Sequence, residues 1–528
     1  MKRCSGVFLS IVIMIILSTC YPNQRLVDHE IRPSEKTTTI SDPTKVYFLD
    51  GSIGLYPQGL TIDSSALYGN GQFFSFDGTL RKRAIPSIPL DSVTAMTYYQ
   101  KYQSGGSGFA SFLLGLYGVI FTPLSIYCIS CPKCCFGSCP TVYHLGNHNS
   151  LPDAELFSYS ISRFFQEYDF DRLTQTADPS DTLVIRLANE AMETHYIDLF
   201  SMYRIDHPEG TIALPTPEGE VKILGNISPP ARATTPDGLE ITHLIADQDS
   251  NHYRTDTEFK ERINHLPALD WLDLEIEFGK PVKEFNLILR LRNSLLTTVL
   301  FYDLVLANQG VEAISWTARM QNDYFYARLF TELYQQYAGI RFYVNHDGTW
   351  EEITKIGDVG PIAWKDMAIP VKLPSPVDKI ALRMTFFPDN FIIDQVNVST
   401  EIHANISPMT ECSPRSITDY QGRCRDDIAR LLETEDKFYL ITNPGEYYDL
   451  TFYPESTENE LSTYFIGSKG YYIEWLRGDW IHNEPTKNFS DFLNPQLVLN
   501  YIANSWEKER STLESLFFDS RIPLRRLP

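Results

Sequence analysis

Apolar residues recur at every second position over two stretches of the chain. Phe285, Leu287, Leu289 and Leu291 alternate with Asn286, Ile288, Arg290 and Arg292, and Ile380, Leu382, Met384 and Phe386 alternate with Ala381, Arg383 and Thr385. A period of two sends successive side chains to opposite faces, so each stretch predicts a strand with one apolar and one mixed face. Between them the period lengthens. Phe325, Leu329 and Leu333 share one stripe of a helix predicted over 323–337, which Gly339 ends. Nearer the start, Val46-Tyr47-Phe48-Leu49 runs into Asp50-Gly51, and short apolar stretches recur around Gly69-Asn70-Gly71 and Asp77-Gly78. Strands at that spacing, separated by glycine turns, predict a small β-barrel or sheet domain over 45–102. Phe438-Tyr439-Leu440-Ile441, Tyr448 to Phe452 and Gly470 to Trp475 repeat the rhythm around Asn443-Pro444-Gly445 and predict a smaller β domain over 436–490. Leu497, Tyr501, Trp506 and Leu513 then mark a terminal helix over 495–518.

The expected fold class is therefore mainly β and multidomain. Its parts are the small N-terminal β domain, an apolar segment with a cysteine cluster at 103–140, a central β-sandwich over 180–400, a linker at 401–435 and the smaller C-terminal β domain. The apolar segment stands apart. No charge falls between Lys101 and Lys133, and 109–129 is long enough to cross a bilayer as a helix. Ser107, Ser111 and Gly115 lie four apart, as at helix contacts inside membranes, while Pro123 interrupts the run. Two readings stay open: a span, or an apolar finger within 107–130 that lies on the bilayer.

The first twenty residues have a different logic. Lys2 and Arg3 precede an apolar run from Val7 to Ile16, followed by Leu17-Ser18-Thr19-Cys20. A basic start, a short apolar core and small residues before a cut form a secretory signal, here 1–19. Leu17-Ser18-Thr19-Cys20 resembles the lipobox of bacterial lipoproteins, with Thr19 where Gly, Ala or Ser is usual. The resemblance implies lipid on Cys20, a polar tether over 20–44, and anchorage in the cell envelope without a spanning helix.

Composition narrows the partners. The net charge of −22 leaves no basic surface for phosphates, which excludes nucleic acid as the expected partner. With 30 tyrosines and 31 phenylalanines, strands are favoured over helical bundles. Over 340–397 a strand, the turn Asn345-His346-Asp347-Gly348, Trp350 and Gly360-Pro361-Ile362-Ala363-Trp364 are followed by two further strands. That order resembles the galactose-binding-like, or discoidin-type, sandwiches of extracellular carbohydrate-binding modules. The resemblance implies a sandwich that binds a glycan, with Trp350 and Trp364 as candidate stacking platforms and calcium as a candidate cofactor.

Cys128, Cys131, Cys134, Cys135 and Cys139 crowd into twelve residues. Their spacing misses the iron–sulfur rhythm at the fourth cysteine. Disulfides suit an oxidising compartment, with Cys135, Cys139, Cys412 and Cys424 as candidates. Zinc on Cys134, Cys139, His144 and His148 is the alternative. Asp247, Asp249, Asn251 and Glu258 occupy liganding positions of a calcium loop, but His252 stands where its sharp turn requires glycine. Asn189 to His195 gathers two carboxylates and an imidazole, enough in principle for acid–base work. No zinc-protease, serine-hydrolase or phosphate-loop motif occurs. The leading expectation is a non-catalytic envelope lipoprotein that binds a glycan or a protein. A glycan- or peptide-cleaving enzyme, and a membrane-complex scaffold using 107–130, are the alternatives.

Overall fold

A computed structural model describes the chain from Gln24 to Leu524 with breaks, the longest at 102–112, 115–138, 174–181, 256–269, 318–326, 454–460 and 476–505. Cys20, all of 107–130 except Leu113 and Leu114, Cys134, Cys135, His148, Glu258 and Trp480 lie outside the described residues. Among the described residues no helix is long and apolar enough to cross a membrane. The fold is mainly β, as the alternating patterns require, and divides into two compact units, Met1–Thr122 and Pro123–Pro528.

The first unit holds a six-stranded sheet and a four-stranded sheet. Val46, Phe48 and Tyr56 from one and Leu60, Ile62, Leu67 and Ile88 from the other share a core. The glycines read from sequence as turn signals do a second job here. A Cβ on Gly71 would lie 2.6 Å from the Tyr56 ring and one on Gly69 2.9 Å from it, so both glycines admit that ring to the core. One expectation is corrected. The polar stretch assigned to the tether supplies an edge strand, Gln24–Asp28, antiparallel to Thr97–Lys101 of the strand Val93–Lys101. Backbone hydrogen bonds form such a pair without an apolar pattern in the strand.

The central sandwich of the second unit is built on two very long strands, Asp270–Asn293 and Lys365–Phe386. They pair antiparallel along their whole length, with register shifts near Glu277 and Val282. The end of the second pairs on its free side with Ile340–His346, and the end of the first pairs on its free side with Phe391–Ile402. Leu272, Leu274 and Ile276 from before the shift share one core with Phe285, Leu287, Leu289 and Leu291 from after it. A sheet whose two halves face the same core has folded over on itself as a β-sandwich, with its core drawn from Ala233 to Val398. The described helical residues of the intervening segment, among them Phe330 and Tyr334, end before Ile340 at Gly339.

A second sandwich brackets the first in sequence. Leu183–Ala188 pairs with Tyr447–Phe452, and Glu193–His207 pairs with nearly the whole of Leu461–Glu474. Leu183, Ile185, Ile197 and Met202 from the early part pack with Leu450, Phe452, Tyr464 and Ile466 from the late part. The strands expected to form a separate C-terminal domain over 436–490 therefore complete two sheets begun much earlier: Tyr447–Phe452 joins the sheet of Thr141–His144, and Leu440–Thr442 and Leu461–Glu474 join that of Glu193–His207. The central sandwich is an excursion between the two halves. Near the C-terminus, the helix Glu507–Phe517 is tied to the central sandwich: Arg254 pairs with Glu514, and Arg510 and Trp506 both donate to Asp389.

Candidate functional site

Asn286, Ile288 and Arg290, read from sequence as a mixed face, are all buried. The second half of the central sheet is covered on both sides: one by the core, the other by the sheet's own edge strands Ile212–Pro215 and Val221–Ser228 and by the split sandwich. Ile288 and Ala368 meet Leu214 and Leu224 there, and next to them Phe170, Ile205 and Phe465 pack with Ala213 and Ile223. Apolar contact carries the middle of this seam. Its end, nearest the start of Lys365–Phe386, is charged.

Arg290 lies between Asp366, 2.8 Å away, and Asp394, 2.9 Å away. The other oxygen of Asp366 accepts from Arg172 of the split sandwich at 2.9 Å. Beside this chain Lys365 pairs with Asp169 and, at 3.0 Å, with Asp171. The sequence reason is local. Asp169 and Asp171 flank Phe170 on the strand Tyr168–Arg172, so both carboxylates share one face while Phe170 fills the apolar seam. Three cations thus meet four carboxylates. Burial and the neighbouring Asp169 charge raise the proton affinity of Asp171 against the pull of Lys365, while the two aspartates keep Lys365 protonated despite its burial. Burial likewise pushes the Asp394 carboxyl up to about 6, opposed by Arg290. Paired buried charges of this kind fix the register of two bodies more than they stabilise them.

The loop leading into Lys365 completes the seam. Asp358 accepts from Tyr334 at 2.9 Å, from Ser158 at 3.2 Å and from the Gly360 N–H at 2.8 Å. Gly360 has φ +85°, and a Cβ there would fall 2.4 Å from a Glu155 oxygen. That Glu155 oxygen accepts the Ile362 N–H at 2.7 Å. Trp364 stands at the outer end, half-buried, with the Arg292 guanidinium 5.1 Å and the Arg290 guanidinium 5.6 Å from its ring centroid. The His252 ring approaches it at 6.3 Å. His252 belongs to an exposed polar loop with Asp247, Gln248, Asp249 and Asn251, and the Asp249 N–H and charge both act on Asp394. The structure therefore brings two separately predicted features, Trp364 and the 247–252 loop, to one edge. Charge at the seam was not foreseen; the paired aspartates around Phe170 were its only signal.

The other candidates fare differently. Trp350 is half-buried under Arg383, whose guanidinium lies 4.5 Å from its ring and 5.1 Å from Trp271, and which itself binds Asp273 at 2.6 Å. Asp249 spends both carboxylate oxygens on Asn251, and the Tyr253 carbonyl, a ligand in a calcium loop, accepts the Ile393 N–H at 3.0 Å. The loop is thus pulled into an extended bridge instead of curling round an ion. Among the described residues no cluster of three metal-ligating side chains occurs. Cys139 carries a free, buried thiol whose ionisation is opposed by burial and then by Glu155, and of the other zinc candidates only His144 lies among the described residues. The expected Cys135–Cys139 and Cys412–Cys424 bridges are not formed, since Cys139 and Cys412 are free thiols. For the second pair the reason is topological: Cys412 pairs with Met202 in one sheet of the split sandwich, while Cys424 bridges Thr418 at the other. In the stretch 189–195, Glu193 and His195 are 2.7 Å apart with both side chains 0% exposed, and Glu190 accepts the Tyr143 hydroxyl at 2.5 Å. These groups lie inside the split sandwich, away from any solvent-borne substrate. Trp475 is fully buried and donates to Thr194 at 2.9 Å.

No protein-family model and no curated protein matches the chain. Among solved structures, a GH31 alpha-xylosidase from Xanthomonas citri is 10% identical, with a TM-score of 0.15, over 84% of this chain and 38% of its own. A cycloalternan-forming enzyme from Listeria monocytogenes, in complex with a pentasaccharide, is 8% identical, with a TM-score of 0.15, over 70% of this chain and 29% of its own. The chain thus spans well under half the length of these proteins, and likeness at this level assigns neither fold nor activity.

Proposed function

We propose that the chain is an envelope-anchored, non-catalytic lipoprotein whose central sandwich binds a glycan at the edge formed by Trp364 and the 247–252 loop. The observation that carries this reading is the company Trp364 keeps. A half-exposed indole stands beside an exposed loop of carboxylates, amides and an imidazole. Glycans offer apolar ring faces and many hydroxyls, and an aromatic platform with a few fixed polar groups meets both needs. The enzyme alternative loses support because the one acid–base cluster anticipated from sequence is sealed in a core.

A glycan array probed with the full chain in detergent tests the binding reading. It is expected to light up for one class of glycan, and a silent array would leave a protein partner as the better account. The anchor is tested separately: lipid on Cys20 is expected by mass spectrometry, and Cys20→Ser is expected to release the chain from membranes. An unmodified Cys20 would refute the anchor.

A further inference from the structure

Arg292 differs from the arginines around it. Arg172, Arg254 and Arg290 each meet at least one carboxylate. Arg292 instead donates to the Pro361 carbonyl at 2.9 Å and lies against Trp364, and among the described residues no carboxylate pairs with it. None of its nitrogens is a buried orphan, so the donors not used on Pro361 keep contact with water. A guanidinium sequestered without a counterion is costly unless something neutralises it. Burial, and then the nearby Arg254, weaken its hold on its proton, only partly offset by Glu514 and Glu155. The sequence makes this cation conspicuous, because acids outnumber bases 67 to 45 and still, among the described residues, none pairs with it.

We infer that the Trp364 edge takes an acidic sugar, a hexuronate whose carboxylate is received by the free donors of Arg292 while its ring lies along the indole. The inference rests on the glycan reading and narrows it. A guanidinium offers two parallel donors that match a planar carboxylate. At 5.1 Å from the indole centroid, cation and platform fall within the span of one sugar residue. The surroundings select against densely charged ligands. Asp247 and Asp249 are exposed on the adjoining loop and the whole chain carries −22, so a heavily sulfated polymer would be repelled where a single carboxylate is accepted.

Calorimetric titration of the full chain in detergent decides this. The probes are galacturonate, glucuronate and mannuronate oligosaccharides, their methyl esters, and a sulfated galactan. One uronate series is expected to bind, its ester about tenfold or more weaker, with the sulfated polymer weaker still. Arg292→Gln is expected to abolish the preference for acid over ester, and Arg292→Lys to restore only part of it. If acid and ester bind equally, or the sulfated polymer binds best, the acidic assignment falls and the glycan reading stands. If neither these probes nor any neutral glycan binds, both fall. Should Arg292→Gln fail to fold, the comparison of acid with ester on the native chain still decides.

Discussion

Asp394 sits where the seam, the 247–252 loop and the central sheet meet, with Arg290 on one side and the Asp249 N–H on another. Its carboxyl titrates near 6 in the folded chain because burial opposes its charge. A group whose proton affinity rises on folding stabilises the fold fully below its unfolded pKa, about 4, and loses that contribution as pH climbs through the folded value. Asp394→Asn removes the titration, so the difference in denaturant midpoint between native and variant chains should change between pH 4 and 6 and stay flat above 7. A difference that is constant over the whole range would contradict the assignment. Arg290 teaches a related lesson. Its place in the strand was legible from period-two alternation, but its burial was not, because the carboxylates that admit it come from positions as distant as 366 and 394.

At the level of elements, the long alternating strands were readable since every second residue of 285–291 and of 380–386, from Phe285 and from Ile380, reaches the core the pattern assigned to it. What no local pattern carries is which element covers the other face. The strand Tyr168–Arg172 does so with Phe170, and Lys365 answers its two aspartates. Lys365→Met would leave Asp169 and Asp171 facing each other without a cation in a half-dry site. A loss of about 3–5 kcal/mol is expected for breaking such a pair from one side. Asp171→Asn in the same background should restore part of it, because one of the facing charges is gone. Urea unfolding of the three chains checks both steps, and a Lys365→Met chain as stable as the native one would refute the role given to the pair.

For the whole molecule, the split sandwich is the feature that sequence reading missed. Strands near 440–474 have ordinary hairpin signals and so looked like a domain of their own, whereas their partners lie more than 250 residues earlier. Long-range pairing leaves no periodic trace. A chain ending after Ile402 is expected to keep the central sandwich, whose core is drawn from 233–398, and to lose the fold of 141–207, whose core is completed by Leu450, Phe452 and Ile466. Hydrogen exchange by region measures this directly: protection should persist in 270–293 and vanish in 193–207. Equal protection in both would overturn the split.

The account stands or falls on Trp364. The decisive measurement is the affinity of the full chain for the glycan class found on the array, compared among native, Trp364→Ala and Trp350→Ala chains. Loss of an aromatic platform is expected to weaken binding about tenfold or more at Trp364, which the His252 ring of the 247–252 loop approaches, while Trp350, which packs with Arg383, should matter little. Native affinity in a folded Trp364→Ala chain, or a loss confined to Trp350→Ala, would contradict the site.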